Sequence, residues 1–396
     1  MTRYLAIVLG AILAPTLLLA GSGKPARSGK PDIVVITQNQ YLGADLTPII
    51  TAGTPAEYNQ AVLDALYSVA ANNIPERAQA LAKSIAGRKA HLVGLQEVFK
   101  FECIETGTMP GACLLFSDAM NDHLQLTEDA LLALHADYYV AGIVENLNLF
   151  PGLPVFLDLD DVPDVLISVL DRDVILARGD VGTEPVAFPC NKPSADGCNY
   201  DVIASAKVLG GVINIERGFV GVDATVNGQE YRFVNTHLEV QSPSDDPLSP
   251  LIQAFQATQL VATLSLLAPP PPETELLVVG DINSSPVDPP FPSPYGEAYP
   301  PYQQLANGTD LFGNQLSDPY TDIWTLRPGK PAGFTCCEAA DLSNGESELY
   351  ERIDVIFSLY PPAGVKANVL NNNPEDKTPS GLWPSDHATV VGRLFN

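Results

Sequence analysis

Short segments rich in valine, isoleucine and leucine alternate along the chain with longer segments of helical periodicity. Short apolar segments bounded by turn residues are typical of buried strands, and apolar residues three and four positions apart are typical of helices. The predicted strands cover residues 32–38, 91–95, 173–177, 276–279, 352–357 and 388–394, with three more inside 201–240. The predicted helices cover residues 56–71, 76–89, 126–135 and 251–267.

The predicted strands are joined in two ways. Some are separated by a helix, whereas the strands around residues 218–226 and 231–238 are separated by Asn227-Gly228, a dipeptide typical of hairpin turns. Because both kinds of connection occur, we expect an α/β domain with mixed rather than purely parallel sheets. Two stacked sheets flanked by helices are the simplest arrangement for this many strands.

The first residues predict an export signal. Residues 1–20 carry a charge at Arg3 and a short apolar run that Pro15 interrupts, a pattern typical of a cleavable signal peptide rather than an anchor. Residues 21–31 indicate a flexible linker, and residues 32–396 are expected to form one domain. We therefore expect the mature protein to be soluble and either secreted or periplasmic.

The charge of the chain restricts its partners. Acidic residues outnumber basic ones by 47 to 21, which gives a formal net charge of −26 at pH 7. Such a surface repels phosphate backbones, so stable binding of nucleic acid is not expected, and an anionic polymer would need metal ions to approach. A role of the charge in solubility alone is equally compatible. A zwitterionic phospholipid would not be repelled, so transient contact with a membrane surface stays open.

Six cysteines in an exported chain of this size predict disulfides. Two pairs lie close in sequence, in loops where local closure is easy: Cys103 with Cys113, and Cys190 with Cys198. For Cys336 and Cys337, a vicinal disulfide and cross-pairing with other loops both stay open. A thiolate zinc site is not indicated, because the spacing of two residues between cysteines is missing.

Polar side chains stand at the ends of the predicted strands in a repeated manner. They are Asn39, Glu97, His237, Asp281, Asn283, Asp354, Asp386 and His387. Sites in α/β sheets form beyond strand ends. Carboxylates and amides suit a hard cation such as Mg²⁺, and imidazoles suit proton transfer or phosphate binding. One such residue would be ordinary, but their recurrence in six segments indicates a shared site.

The segment VVGDINSSP, residues 278–286, runs from apolar residues directly into Asp281 and Asn283. These two side chains can form an Asx-turn. Alternatively, as residues i and i+2 of extended backbone, they face the same side and line a site. Their position between the other polar strand ends favours the site.

Six segments of the chain carry a more specific resemblance. They read TQNQ, LQEV, NTHL, GDINS, RIDVIF and SDH, and they fall within residues 32–394. In this order they resemble the motifs of the endonuclease/exonuclease/phosphatase superfamily, the deoxyribonuclease I-like proteins, which include nucleases, neutral sphingomyelinases and inositol-polyphosphate phosphatases. The resemblance implies a four-layer α/β/β/α sandwich with one active site at the top of the paired sheets.

The resemblance implies a metal site. Glu97 resembles the family's principal Mg²⁺ ligand, and Asp386 resembles a metal ligand or an acid that supports one. Asn39 resembles the amide that lies beside the metal and a phosphate oxygen. Mn²⁺ or another divalent cation is an alternative to Mg²⁺.

The resemblance also implies catalytic roles. Asp281 and Asn283 would steer the attacking water and donate a hydrogen bond to a phosphate oxygen. His237 resembles the histidine that binds the phosphate and can protonate the leaving oxygen. His387 resembles a general base or phosphate-binding histidine, with Asp354 as the carboxylate that orients it. Whether Asp281 or His387 takes the proton of the water stays open.

An insertion at about residues 102–170 is long for the family. It includes an apolar stretch at residues 146–170. Three interpretations stay open: a lid over the site, a lipid-facing patch, or a packed excursion that extends the core.

Residues and resemblance together predict a secreted Mg²⁺-dependent phosphoester hydrolase that works by in-line attack of an activated water. The favoured substrate is a phospholipid headgroup, as in a sphingomyelinase, or a small phosphoester, either diester or monoester. The alternative is an extracellular endonuclease for DNA or RNA, because such motifs bind phosphate rather than base. A non-catalytic binding module is the least favoured hypothesis, since the motifs are intact.

Overall fold

The computed structural model describes most of the chain downstream of the predicted linker. The described residues are 32–158, 162–208, 211–241, 249–267, 274–329 and 331–395. The predicted signal peptide, residues 1–20, and linker, residues 21–31, lie outside the described residues.

Among the described residues, one mixed sheet has seven strands and is called sheet A. Its strands in spatial order are β18 (Gly364–Leu370), β19 (Thr389–Phe395), β1 (Ile33–Asn39), β2 (Leu92–Gln96), β5 (Val165–Arg178) and β3 (Lys100–Glu105), and β4 (Tyr138–Val155) also pairs with β5. The pair β1 and β2 is parallel, and the other pairs are antiparallel.

The second sheet, sheet B, has eight strands in the described part of the chain. Its strands in spatial order are β16 (Thr321–Asp322), β17 (Asp354–Ser358), β13 (Glu275–Asp281), β12 (Gln229–His237), β11 (Gly218–Val226), β8 (Gly197–Asn199) and β7 (Pro193–Ser194), and β6 (Gly182–Pro185) also pairs with β11. Only the pair β12 and β13 is parallel among these described strands. Two separate hairpins are formed by β9 (Ala204–Val208) with β10 (Gly211–Ile215), and by β14 (Phe291–Ser293) with β15 (Gly296–Ala298).

Three of the six described helices begin where a side chain caps the first turn. Their bounds are α1 (Thr47–Thr51), α2 (Pro55–Ala71), α3 (Ile74–Arg88), α4 (His123–Ala133), α5 (Ser249–Leu266) and α6 (Pro301–Asn307). The side chains of Thr54 and Asn73 accept hydrogen bonds from the first turns of α2 and α3. The predicted start of α4 is three residues late, because Asp122 caps the helix earlier and accepts from the Leu124 backbone N–H at 3.0 Å.

The two sheets pack face to face, with helices on both outer faces. Strand β1 illustrates the layering, because Val35 faces the core between the sheets whereas Ile36 faces the core under α3 and α4. On the opposite side, α5 and α6 pack against the outer face of sheet B through residues such as Leu260 and Leu305. The four-layer α/β/β/α sandwich predicted for the chain is therefore confirmed.

The predicted insertion adds strands rather than a separate body. Residues 102–170 contain most of β3, all of β4 and the first part of β5, and they extend sheet A. The predicted strand 173–177 is correct but far too short, because Asp171, Arg172 and Asp173 interrupt the apolar pattern inside one continuous strand.

The disulfides follow the local spacing. Cys103 is bonded to Cys113 and Cys190 is bonded to Cys198, as the spacing predicts. Of the alternatives for the remaining pair, the vicinal disulfide between Cys336 and Cys337 is present. No helix within the described ranges has both the length and the apolar character needed to cross a membrane.

The strand directions explain why the polar strand ends can meet. In each sheet, two central parallel strands, β1 with β2 and β12 with β13, end at the same edge. The antiparallel strands beside them, β19 and β17, begin at that edge. Residues that follow the parallel strands and residues that precede or open the antiparallel ones therefore share one end of the sandwich.

A buried amide joins the two sheets just below this edge. Asn235 on β12 donates to the carbonyl oxygens of Leu95 and Val174, at 2.9 and 3.1 Å, and accepts from the Gln96 side chain at 2.5 Å. Gly94 provides the space for it, since a Cβ at that position would lie 2.6 Å from Asn235 Oδ1. The sheets are thus locked together by specific hydrogen bonds in addition to apolar packing.

We expect Gly94→Ala to destabilise the protein by about 1–3 kcal/mol, because the added methyl group would overlap Asn235 and Val279. The matched control is Gly87→Ala on the exposed face of α3, where a Cβ meets no atom within 4 Å. That change should stabilise by about 0.5–1 kcal/mol, because alanine favours the helix. Urea unfolding followed by circular dichroism measures both, and equal stability of Gly94→Ala and the parent would contradict the prediction.

Candidate active site

The polar residues predicted from the sequence meet at one edge of the sandwich. Those from sheet A or its flanks are Asn39, Glu97, Asp386 and His387, and those from sheet B or its flank are His237, Asp281, Asn283 and Asp354. Asp281 is the register partner of both His237 and Asp354. The site therefore forms only where the two sheets face each other.

Asn39 links the two halves of the site. Its Nδ2 donates to Glu97 Oε1 and to Asp281 Oδ2, both at 3.1 Å. Its Oδ1 accepts from the Tyr41 backbone N–H at 2.9 Å. Because the side chain is fully buried and satisfied in this way, it holds the two carboxylates in a fixed relation.

Glu97 directly follows β2, with a left-handed backbone φ of 54°. This conformation is uncommon for a residue with a side chain and costs of order 1 kcal/mol or more. It is stabilised by the Leu42 backbone N–H, which donates to Glu97 Oε2 at 2.9 Å, and by Asn39 on the other carboxylate oxygen. The carboxylate is thus held in place by groups that come from the end of β1.

His387 and Asp354 form a buried pair. His387 Nδ1 donates to Asp354 Oδ2 at 2.8 Å, and this bond leaves His387 Nε2 directed to the neighbourhood of Asp281 Oδ2, 3.7 Å away. Burial opposes a charge on His387, but the carboxylates of Asp354, Asp386 and Asp281 raise its pKa well above the ordinary value of 6.5. Asp354 therefore orients the imidazole and favours its charged form.

Asp281 lies at the centre of the site. Burial raises its pKa to about 7, which His387 opposes and Asp354 reinforces. The segment after β13 is both a turn and part of the site: Asp281 Oδ1 accepts from the Asn283 backbone N–H at 2.9 Å, and Asn283 has a left-handed φ of 47°. The backbone is extended at Asp281, the last residue of β13, but not at Asn283, and the Asx-turn is what brings the Asn283 side chain to the site.

His237 is held in its neutral form. A guanidinium can only donate, so the Arg217 Nη1 that lies 3.1 Å from His237 Nδ1 places the imidazole proton on Nε2. Burial, Arg217 and His387 lower the pKa of His237 well below 6.5. His237 Nε2 lies 3.5 Å from Asp281 Oδ2 and 3.2 Å from Asn283 Nδ2. This arrangement suits hydrogen bonding to a phosphate oxygen better than proton donation to a leaving group.

Arg217 is a functional residue that the sequence reasoning missed. It precedes β11 in a loop and is oriented by Asp171 and Glu239, whose carboxylate oxygens lie 3.5 and 3.6 Å from its guanidinium. Burial opposes its charge, but these two carboxylates raise its pKa above the ordinary value. Each partner comes from a different strand or loop, so the only signal in the sequence is a set of charges within otherwise apolar strands.

Two further buried groups stand behind Arg217. Asp173 and Asn146 lie beside Asp171, and within the described residues neither carboxylate oxygen of Asp173 makes a hydrogen bond of ordinary geometry. Burial and the neighbouring Asp171 raise the pKa of Asp173 well above 3.8, although nearby Asn146 and Arg217 oppose this. Burial also raises the pKa of Asp171, to about 7.

The donor set fits a divalent cation at Glu97 and Asp386. Burial raises the pKa of Asp386 to about 6, His387 opposes this, and the negative charge of Glu97 adds to it. Two carboxylates that repel each other in a partly buried site are relieved by a shared cation, and Mg²⁺ binds one or two carboxylates while keeping several waters. Ligand atoms of Asp281, Asp354 and His387 also lie within 4.8 Å of one another, but the hydrogen bond between Asp354 and His387 already uses two of them.

Comparison with known proteins gives matches among solved structures only, since no protein-family model and no curated protein matches the chain. An endonuclease/exonuclease/phosphatase from Beutenbergia cavernae is 18% identical, with a TM-score of 0.47, over 92% of this chain and 72% of that one. A mannosyl-6-phosphatase from Bacteroides thetaiotaomicron is 15% identical, with a TM-score of 0.47, over 92% and 100%. A truncated TDP2 from Caenorhabditis elegans is 12% identical, with a TM-score of 0.46, over 92% and 97%. Similarity at this level does not indicate a substrate.

We expect Asp173→Asn to stabilise the protein at neutral and alkaline pH. The raised pKa of Asp173 means that the folded state keeps a proton that the unfolded state releases above pH 3.8, so stability is lost as pH rises through this window. Asparagine cannot ionise, and it should recover about 1–3 kcal/mol at pH 8 and almost nothing below pH 4.

Thermal unfolding between pH 4 and pH 8, in the presence of a chelator, measures this difference. Asp118→Asn at an exposed position is the matched control and should follow the parent at every pH. A curve for Asp173→Asn that runs parallel to that of the parent would show that Asp173 does not titrate in this way.

Proposed function

We propose that the chain is a divalent-metal-dependent phosphoester hydrolase that uses in-line attack of water on phosphorus. The observation that supports this most directly is the arrangement around Asp281. Its Oδ2 lies within 3.1 Å of the Asn39 amide, 3.5 Å of His237 Nε2 and 3.7 Å of His387 Nε2. A carboxylate surrounded by one amide and two imidazoles suits activation of a water next to a tetrahedral anion.

The residues of the chain take separate roles in this proposal. Asp281, with its pKa near 7, takes the proton of the attacking water as the oxygen–phosphorus bond forms. His387 in its charged form and neutral His237 donate hydrogen bonds to the phosphoryl oxygens. The bond from phosphorus to the leaving oxygen then breaks, and that oxygen takes a proton from solvent. Asn283, whose Nδ2 donates to the Leu238 carbonyl oxygen at 2.9 Å, lies beside His237 and would donate its second amide hydrogen to a phosphoryl oxygen.

Glu97 and Asp386 would hold the metal ion, with Asn39 fixing the carboxylate of Glu97. When bound there, Mg²⁺ or a similar cation would polarise a phosphoryl oxygen and neutralise negative charge that develops in the transition state. The identity of the cation follows from the ligands only as far as a preference for oxygen donors.

We also propose that the protein acts outside the cytoplasm, because residues 1–20 have the pattern of a signal peptide. The disulfides of the described part of the chain are consistent with an oxidising compartment. A second candidate function is an extracellular nuclease, since the residues around Asp281 would bind phosphate without reading a base. The net charge of −26 favours a small or zwitterionic phosphoester over a nucleic acid.

We expect Glu97→Gln and His387→Ala each to lower hydrolysis of bis(p-nitrophenyl) phosphate in Mg²⁺ by about 100-fold or more, because each removes a charge from the site. Glu102→Gln and His135→Ala, both at exposed positions, are the matched controls and should keep the activity of the parent. A chelator should abolish the activity, and Mg²⁺ or Mn²⁺ should restore it. Full activity of Glu97→Gln or His387→Ala in a folded protein would refute the assignment.

A parallel assay on plasmid DNA and sphingomyelin separates the two candidate functions. Nicking of DNA without cleavage of the lipid would favour the nuclease over the phospholipid hydrolase.

A further inference from the structure

An apolar pocket of about 450 Å³ lies beside the catalytic residues. Its volume falls within the range of about 300–1,000 Å³ that is typical of small-ligand sites. The walls come from α1 and α2, the segments after β1, β2 and β12, the β4–β5 ribbon, and the β9–β10 hairpin. Most of its lining is aliphatic or aromatic, and representative residues are Val62, Ala65, Phe99, Leu149, Ile167 and Ile213.

One end of the pocket is polar and belongs to the active site. Glu97, Asp171, Arg217 and Glu239 line this end. Glu97 is the proposed metal ligand, and Arg217 contacts His237 at 3.1 Å. The pocket and the reaction centre therefore share a wall, so a molecule bound in the pocket can place a polar group at the catalytic carboxylates.

The pocket opens to solvent, unlike an unfilled space in the core. Ile50 and Val240 at its rim are 37% and 46% exposed. On β10, side chains alternate: Ile213 and Ile215 line the pocket, whereas Val212, on the opposite face of the hairpin, is 61% exposed. Replacement of the water in such an accessible cavity by an apolar ligand is favourable, because it removes apolar surface from water.

On the basis of the function proposed above, we infer that this pocket binds an apolar chain attached to the phosphoryl group of the substrate, and that the substrate is an amphiphilic phosphoester. The chain lies between α2 and the β9–β10 hairpin, and the phosphoryl group lies at Glu97. The β4–β5 ribbon, which carries the inserted residues, supplies Leu149 and Ile167 to the wall. The insertion thus contributes to substrate binding as well as to sheet A.

A nucleobase is a poor fit to the same space. Its N–H and carbonyl groups would need hydrogen-bonding partners inside the pocket, and unpaired polar groups in an apolar site lose affinity. The charged residues at the polar end are already engaged with one another or with Asn39. An alkyl chain has no polar groups that need hydrogen-bonding partners inside the pocket.

The test is a series of p-nitrophenyl alkyl phosphates, from methyl to dodecyl, assayed in Mg²⁺ below their micelle concentrations. We expect KM to fall by roughly three- to fourfold for each methylene group that the pocket buries, until it is filled, with little change in kcat. Ile213→Asp should raise KM at least tenfold more for the octyl ester than for the methyl ester, because it places a charge in the apolar wall. Val212→Asp on the outer face of the same strand is the matched control and should behave as the parent.

Two further measurements keep the outcome decisive. Ala65→Phe adds a side chain to the pocket from α2 and should raise KM for the octyl ester more than for the methyl ester. Thermal unfolding tests whether each variant is folded. Calorimetric titration with methylphosphonate and octylphosphonate measures binding to the pocket without hydrolysis. The parent should bind octylphosphonate more tightly than methylphosphonate, and Ile213→Asp should bind the two with similar affinity.

Equal KM values across the series, equal effects of Ile213→Asp on the methyl and octyl esters, or faster hydrolysis of thymidine p-nitrophenyl phosphate than of the octyl ester would each overturn the inference. These results are distinct from failure of the proposed function. In that case no ester would be hydrolysed, whereas selective binding of octylphosphonate would still establish the pocket.

Discussion

The hydrogen bonds of Asn235 across the interior fix how the two sheets face each other, and the geometry of the site depends on that relation. Apolar packing between sheets tolerates small shifts, since contacts between aliphatic side chains have little directional preference. The amide of Asn235 bonds to backbone of both β2 and β5, at 2.9 and 3.1 Å, and allows no such shift without loss of a buried hydrogen bond. Asn39 repeats this arrangement at the edge, where it joins Glu97 to Asp281.

Neighbouring ionisable groups in the site have pKa values that are shifted in opposite directions. Carboxylates raise the pKa of His387, whereas Arg217 and burial lower the pKa of His237. The two imidazoles on either side of Asp281 are thereby kept in different protonation states, with His387 charged and His237 neutral. Asp171 and Glu239 are part of the same arrangement, because their carboxylates keep the Arg217 guanidinium directed at His237.

The sequence predicts the sheets, most helices and the principal site residues, because each of these depends on local signals. Apolar runs mark strands, and polar residues at their ends mark the edge where a site can form. The contributions of Arg217 and Asp171 depend instead on partners that are distant along the chain, so no local pattern reveals them. The length of β5 was underestimated for the same reason, since its charged residues are compensated only by tertiary neighbours. The turn at Asn283 shows that a turn and a site can be the same feature.

Strand β19 lies between β1 and β18 in the interior of sheet A, although it is the last described strand of the chain. Every contact of β1 on that side, and the positions of Asp386 and His387, must therefore wait for residues near position 390. Without β19, strand β1 would have an unpaired edge beside Asn39, and Asp386 and His387 would lose the strand that fixes their positions. The site at the edge of the two sheets is therefore complete only once β19 has paired with β1.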